Sequence, residues 1–305
     1  MPDKFSDKFS NDGLIVVNKP DGWTSHDVVA KLRGIAGTRR VGHLGTLDPI
    51  ATGVLPVMLG QTTRLARFWE RQDKTYEAVI RFGFATDTYD RQGAPVGAVT
   101  EPDLDPEAVE AAVLPLRGEI LQKPPAVSAK KIGGVAAYKL VRRDEPVDLA
   151  PVPVVVHEFV LLGVEGPRAR VRVRCSAGTY IRALAHELGN TVGCGAHVEE
   201  LVRTRSGSFS LDQAWTLERL QELKDEGRLS TAILPPAELL PDFPAAHVDD
   251  AAVASIRQGR DFAVSAFRVN LGTKYVKAIG PDGRLVAIGE ICLPHIYHPV
   301  VVLQP

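Results

Sequence analysis

From Arg168 to Cys175 the chain reads Arg-Ala-Arg-Val-Arg-Val-Arg-Cys, a strict alternation of guanidinium and apolar side chains. Only a β-strand has that period, because its successive side chains point to opposite faces. One face is therefore buried and the other carries four positive charges. Val152–Leu162 reads as its partner, across a turn at Gly163–Pro167. The other elements mix strands and helices without a regular βαβ alternation. The expected class is α+β, with a mixed, mainly antiparallel central sheet and flanking helices.

Local signals place those elements. Leu14–Val17 is a short buried strand ended by the turn residues Asn18-Lys-Pro-Asp-Gly22. Thr24 or Ser25 caps a helix carrying Val28, Val29 and Leu32, with Gly37 past its end. A strand at Val54–Leu59, a helix over Thr62–Gln72 and a strand at Tyr76–Phe84 follow. Asp105-Pro106 opens a helix that runs to Leu114, since Asp caps and Pro suits the first helical position. Thr179 starts a helix whose apolar side is Ile181, Leu184, Ala185 and Leu188. Val198–Phe209 reads as a strand and Glu218–Arg228 as a solvated helix.

Both ends differ from this body. Residues 1–12 contain Asp-Lys-Phe-Ser twice and no apolar period, the pattern of a mobile tail. Proline density rises from Pro235-Pro236 to Pro244, which marks a linker. The segment 245–305 beyond it is expected to be a small, mostly β domain with a helix at Asp250–Gln258 and strands at Phe267–Ile279 and Leu285–Ile291. The whole body before it, 13–240, is read as one domain.

With 305 residues, 45% hydrophobic and 24% charged, the chain can bury a core without disulfides or structural metals. Its three cysteines (Cys175, Cys194, Cys292) are far apart and form no Cys-x-x-Cys pair, which fits a reducing compartment. The first residues lack an apolar leader, and the longest uncharged stretch, Pro49–Thr63, falls short of the ~20 residues that span a bilayer. The expectation is a soluble, cytoplasmic protein with no membrane partner.

Several chemical motifs fail. There is no G-x-x-x-x-G-K-[ST] loop and no G-x-G-x-x-G after a strand. His186-Glu187 lacks the second histidine of a zincin, because Asn190 stands there. His197-x-Glu199 has no Pro-Cys-x-x-Cys to complete a deaminase zinc site. Ser128-x-x-Lys131 matches an acyl-enzyme motif by spacing alone, and prolines flank His295-x-x-His298. No metal and no nucleotide or redox cofactor is implied.

The 36 basic and 37 acidic residues nearly cancel, but they are not evenly mixed. Lys31, Arg33, Arg39 and Arg40 lie in one acid-free stretch, and Lys123, Lys130, Lys131, Lys139, Arg142 and Arg143 lie in another. Arg168, Arg170, Arg172 and Arg174 form the third cluster, which Arg182, Arg203 and Arg205 extend. Each alone reads equally as a solvated face. Together they favour an anionic polymer, since phosphate contacts position a nucleic acid without reading its sequence.

The most informative stretch is Gly42-His-Leu-Gly-Thr-Leu-Asp-Pro-Ile-Ala-Thr-Gly-Val-Leu-Pro56. Its glycines permit tight turns and close ligand approach. Asp48 precedes Pro49, which biases it away from helix. A carboxylate on so rigid a loop can serve as nucleophile or base, or simply close an Asp-Pro turn.

This loop resembles the catalytic motif of the TruB family of pseudouridine synthases, which modify uridine 55 in the T-arm of tRNA. Asn18-Lys-Pro-Asp-Gly-Trp-Thr-Ser25 resembles the family's opening motif. Asp73-Lys-Thr-Tyr76 resembles the strand bearing its pocket tyrosine. Cys175-Ser-Ala-Gly-Thr-Tyr-Ile-Arg182 and Leu188-Gly…Gly193-Cys-Gly-Ala-His197 resemble its later motifs, in order. Residues beyond the linker more weakly resemble a PUA-type RNA-binding domain.

The resemblance implies the pseudouridine synthase fold, an isomerase activity and Asp48 as nucleophile. Tyr76 becomes the ring that stacks on the flipped base and a participant in removing the C5 proton. Arg182 becomes the cation that pairs with Asp48 and keeps it ionised. Tyr180 and Leu201 line the uracil pocket, and His43 reaches into the T-loop. Lys123–Asp148 corresponds to a thumb, expected to be mobile without RNA. Lys19 is left a structural residue.

The loop reads Asp-Pro-Ile-Ala-Thr-Gly-Val-Leu-Pro, which resembles the stand-alone form better than relatives that work on guide RNA. The implied partner is therefore the tRNA T-arm alone, with the protein a monomer needing no protein or guide-RNA partner. A different class stays open: an RNA-binding protein that helps tRNA fold, with catalysis incidental. A nucleoside hydrolase is disfavoured, because it wants a second acid or a metal.

Overall fold

The computed structural model describes residues 11–304 apart from 129, 142, 144 and 268. The first ten residues of the expected tail lie outside the described residues. Its last two are tied down: Asn11 Nδ2 donates to Ala36 O and Asp12 Oδ1 accepts from Gln61 N.

The body begins with β1 (Gly13–Lys19), α1 (Ser25–Ala36), β2 (Val41–His43), β3 (Ala51–Leu59) and β4 (Lys74–Phe82). A ribbon of β5 (Ala85–Thr86) and β6 (Pro95–Val96) leads to α2 (Pro106–Val113) and β7 (Gly118–Gln122). A small hairpin, β8 (Lys131–Ile132) and β9 (Val135–Ala136), and α3 (Ala137–Val141) precede β10 (Val152–Glu165) and β11 (Arg168–Cys175). Then come α4 (Ile181–Val192), β12 (Ala196–Ser206), β13 (Phe209–Ser210) and α5 (Leu217–Asp225).

Nine of these strands form one sheet in the order β1-β3-β12-β4-β11-β10-β7, with β2 added to β3 and β13 to β12. Only β12 and β3 run parallel among the described pairs of this sheet. One face packs against α1, α2, α4 and α5 in a single core: Val28 and Leu32, Val109 and Val113, Ile181 and Leu188, and Leu220 and Leu223 meet the inward residues of the strands.

The alternation of β11 resolves as a half-buried strand, with Ala169, Val171, Val173 and Cys175 inward and the arginines outward. Its electrostatics differ from the expectation of a free basic face. Arg168 pairs with Glu199 at 2.6 Å, Arg172 with Glu158 at 2.9 Å and Arg174 with Asp73 at 3.6 Å. Glu158 comes from the adjacent β10, Glu199 from β12 on the far side of β4, and Asp73 from the turn before β4. The register sets Val173 opposite Tyr76 and Arg203 opposite Tyr76, so the arginine stripe occupies the face away from those two residues.

Other sequence expectations shift in detail. Thr24 caps α1 in a reciprocal box with Asp27, and Gly37 ends it in the left-handed conformation. The segment after β3 is a 3₁₀ helix over Gly60–Phe68 rather than an α-helix to Gln72. Helix α5 is not solvated all round, because Leu217, Leu220 and Leu223 recur every three residues and enter the core.

The C-terminal sheet has the order β14-β16-β17-β18-β15, with β14 (Ala245–His247), α6 (Asp250–Arg257), β15 (Phe262–Ala263), β16 (Tyr275–Ile279), β17 (Leu285–Leu293) and β18 (Ile296–Val302). Among the described residues of the strand expected over Phe267–Ile279, only Tyr275–Ile279 is regular. Strand β18 is not among the expected strands. Its Pro299 sits opposite Gly289 of β17, while the pairing with β15 covers only Ile296 and Tyr297, so the proline has a strand partner on one side alone.

The proline-rich segment is packed rather than free. Lys277 Nζ donates to Ala237 O at 2.9 Å and Leu239 O at 3.0 Å, and Leu239 and Leu240 are buried. Leu14, Met58, Leu65 and Trp69 of the body share a core with Ile279, Leu285, Ile288 and Val301. Among the described residues no helix is long and apolar enough to cross a membrane.

Candidate active site

The loop between β2 and β3 carries Asp48, and three buried side chains hold that loop. Arg203, on β12, is 1% exposed; its Nε donates to Val54 O at 2.7 Å, Nη2 to Gly45 O at 3.0 Å and Nη1 to Thr46 O at 3.4 Å. Ser25, the first residue of α1, accepts the Leu47 N–H at 2.9 Å and donates to Leu47 O at 3.1 Å. Lys19, at the end of β1, donates to Pro20 O, Trp23 O and Pro49 O.

The backbone is closed around the carboxylate as well. Asp48 O accepts from Ala51 N at 3.0 Å, and Pro49 O accepts from Gly22 N at 2.9 Å. Gly53 has φ 97°, and a Cβ there would lie 2.3 Å from Arg203 O, so only glycine fits. Burial lowers the Lys19 ammonium to about 8, with Asp21 and Asp48 opposing that shift.

Asp48 is thus a surface-reaching carboxylate on an immobilised loop, its side chain 33% exposed. Arg182, from the first turn of α4, lies beneath it almost fully buried, with Nε 2.8 Å from Asp48 Oδ2. The Nε–H is not aimed at the carboxylate, so the contact is an ion pair rather than a linear hydrogen bond. The same guanidinium meets Asp90 Oδ2 at 3.3 Å and donates to Thr88 O at 2.9 Å and Val127 O at 3.0 Å. One buried cation therefore serves two carboxylates and two carbonyls, the pairing a buried charge requires, with only its Nε–H left without a hydrogen bond.

Aromatic and apolar walls surround this group. Tyr76 projects from β4 into the core beside Arg203, and burial pushes its phenol up. Tyr180 caps α4, and burial raises its phenol too, with Ser128 beside it and opposing that shift. Both feel the charge of Asp48. Leu201 is buried opposite Ala78 and Ala51. The five residues Asp48, Arg182, Tyr76, Tyr180 and Leu201 thus gather at one end of the helix-covered face.

His43 stands apart from this cluster, at the end of β2, where its ring meets His26 edge-on with centroids 5.7 Å apart. Burial, with His26 and Arg203 adding, lowers its imidazole to about 4, so it is neutral at neutral pH. Its buried Nδ1 has no hydrogen-bond partner.

Residues missing from the sequence reading include Asp90 and Thr88. They sit in the turn Asp87-Thr-Tyr-Asp90, whose composition signals only a bend. The failed metal motifs have other occupations: His197 faces Phe84 O, His298 pairs with Asp261 at 2.7 Å and His186 stacks on Tyr89 with centroids 3.9 Å apart. Among the described residues no three His, Cys, Asp or Glu side chains are grouped to hold a metal.

Comparison with known proteins matches residues 33–181 to the TruB family pseudouridylate synthase N-terminal domain and residues 182–240 to the tRNA pseudouridylate synthase B C-terminal domain. The chain is also 55% identical to tRNA pseudouridine synthase B of Solibacter usitatus, over 96% of this chain and 100% of the relative. This chain belongs to the TruB family. The family is one of pseudouridylate synthases, which are isomerases, and the curated relatives are named for tRNA. The namesake from Arthrobacter is 43% identical over 90% of this chain and 92% of its own length.

The TruB fold is evident in three dimensions as well. A crystal structure of the archaeal box H/ACA sRNP Nop10-Cbf5 complex superposes with TM-score 0.70 at 27% identity, covering 97% of this chain and 87% of the other. An H/ACA RNP bound to a substrate RNA containing 2′-deoxyuridine gives 0.71 at 26% identity, covering 99% and 93%. The boundary between the two TruB models falls in the first turn of α4, inside one continuous core rather than between separate bodies.

Proposed function

We propose that this chain converts uridine 55 in the T-loop of tRNA to pseudouridine, acting alone, with Asp48 as the nucleophile. The observation that carries the reading is the Asp48 carboxylate itself: partly exposed, ion-paired from below by Arg182, and set on a loop immobilised by Arg203, Ser25 and Lys19. Membership of the TruB family, and relatives named for tRNA, supply the substrate class.

The isomerisation breaks the C1′–N1 bond, turns the uracil and forms C1′–C5. The C5 proton leaves and N1 gains one, so no net redox change or group donor is required. Asp48 attacks C6 of the base or C1′ of the ribose, or accompanies a glycal intermediate. Arg182 pairs with the carboxylate and aims it. Tyr76 stacks on the flipped base. Burial raises its phenol, and the residue takes part in removing the C5 proton.

Tyr180 and Leu201 bound the uracil pocket. Neutral His43 reaches into the T-loop, where an imidazole without charge can stack among displaced bases. Flipping costs a few kcal/mol, offset by stacking and phosphate contacts. Residues 13–240 form the catalytic unit, 123–148 the thumb that closes on RNA, and 245–305 a PUA-like domain that adds RNA contact. The protein works in the cytoplasm as a monomer.

Tritium release from uracil C5 of an unmodified tRNA transcript tests this. Wild type is expected to release tritium and Asp48→Asn to release none while still binding tRNA. No release from a wild type that binds tRNA would leave RNA folding assistance as the activity and Asp48 without a chemical role.

A further inference from the structure

We infer that Gln122 is a positioning residue for this reaction: its buried side-chain amide clamps the backbone of Tyr180 and so fixes the turn of α4 from which Arg182 reaches Asp48. The inference deepens the proposed function and rests on it.

Gln122 is the last residue of β7, immediately before the thumb segment, and it is 4% exposed. Its Oε1 accepts the Tyr180 N–H at 2.8 Å, and its Nε2 donates to Tyr180 O at 3.1 Å. The orientation of the amide follows from chemistry, since a backbone N–H can only donate. Two opposed bonds to one residue act as a strand partner would, fixing both position and rotation of that peptide unit.

Tyr180 needs such a partner. It occupies the N-cap position of α4, and its own side chain makes no capping bond. Its carbonyl starts the helix by accepting from Ala183 N at 3.1 Å and Leu184 N at 3.2 Å. Whatever sets the Tyr180 peptide therefore sets the direction of the first turn, with Arg182 two residues on.

A second contact comes from the same segment. Arg182 Nη2 donates to Val127 O, five residues past Gln122. The stretch 122–127 thus grips Tyr180 and Arg182 on one side, while Asp48, Asp90 and Thr88 hold the guanidinium on the other. A side chain that merely satisfied its own buried polarity would leave catalysis to the folded fraction. One that aims Arg182 and the Tyr180 ring changes the rate of the bound complex, because misplacement by about 1 Å can cost 10²-fold.

Two variants separate these roles. Gln122→Met keeps the volume and loses both bonds. Gln122→Glu is nearly isosteric and keeps the acceptor for Tyr180 N–H but turns a second oxygen towards Tyr180 O. With saturating tRNA, single-turnover isomerisation is expected to fall roughly 10- to 100-fold in both, while KM and the Kd for tRNA stay within about twofold. Amide hydrogen exchange gives a readout independent of activity: Tyr180 N–H should lose protection in Gln122→Met and keep it in Gln122→Glu.

Single-turnover rates within twofold of wild type in both variants would overturn the inference. So would a rate loss no larger than the loss of folded protein, or unchanged exchange at Tyr180 in Gln122→Met. A wild type that releases no tritium would overturn the functional reading instead, whatever the exchange at Tyr180 shows.

Discussion

Arg203 makes a prediction that can be worked from its bonds. Replacing it with lysine keeps the charge and loses the planar fork. The two shorter contacts, to Val54 O at 2.7 Å and Gly45 O at 3.0 Å, come from different nitrogens and point to opposite ends of the Asp48 loop. One ammonium can keep one of them. The loss is then one charge-assisted bond of about 1.5–3 kcal/mol and the weaker contact to Thr46 O, with a buried carbonyl left unpaired. About 3 kcal/mol of stability should disappear, a fall of roughly 5 °C in Tm for a protein of this size. Urea unfolding followed by the fluorescence of Trp69 and Trp215 measures it. Because the freed segment carries Asp48, single-turnover tritium release should drop at least about tenfold in the protein that remains folded. An Arg203→Lys variant within about 0.5 kcal/mol of wild type and with full rate would refute the idea that the fork holds the loop.

Gly53→Ala should be more damaging than most surface changes, since its Cβ would meet Arg203 O at 2.3 Å in a left-handed backbone. A loss above about 3 kcal/mol is expected, and a normal urea midpoint would contradict the close approach. Lys19 binds its proton more weakly folded (about 8) than unfolded (10.5). Between those pH values the unfolded chain holds more protons, so stability from this group rises with pH. The gap in urea midpoint between wild type and Lys19→Met should widen from pH 8 to 10, and a constant gap would count against a buried ammonium. His43 has the same sign at lower pH: folded at about 4 against 6.5 unfolded, it withdraws stability as pH falls through that window. Discounted for partial exposure, the loss is about 2 kcal/mol. His43→Gln should resist acid better than wild type in pH-jump unfolding.

Much of the fold was legible because its signals are local. The alternation of Arg168–Cys175, the Thr24 cap with Gly37 closing α1, and Asp105-Pro106 opening α2 each act within a few residues, and the structure has each element where the pattern set it. The errors fall where the deciding partner is remote. Helix α5 reads as polar until its three leucines are seen to face β1 and α1. Strand β18 is not expected from its sequence at all, and its pairing with β17 is what defines it.

The site divides in the same way, and the two arginine sets show why. Sequence offers Arg168–Arg174 as the more conspicuous cationic feature, four guanidiniums on one face with no acid among them. Periodicity determines which side of the sheet they share and says nothing of what lies opposite. Glu199, Glu158 and Asp73 arrive from other segments and pair with three of the four. Arg182 and Arg203 look like ordinary members of the same basic inventory, yet they are the buried ones, Arg182 surrounded by carboxylates and carbonyls from three separated segments and Arg203 by carbonyls at both ends of the Asp48 loop. A charge is removed from water only where its partners have been assembled for it. Those partners are Thr88, Asp90 and Val127 for one, and Gly45, Thr46 and Val54 for the other, none of which is marked by residue type. Asp48 could be singled out on its loop because Pro49 and the flanking glycines restrict the chain locally. What aims it is not marked locally: Arg182 is reached only through the family resemblance, and Asp90 and Gln122 acquire their relation to Asp48 only when β7, the turn between β5 and β6, and α4 come together.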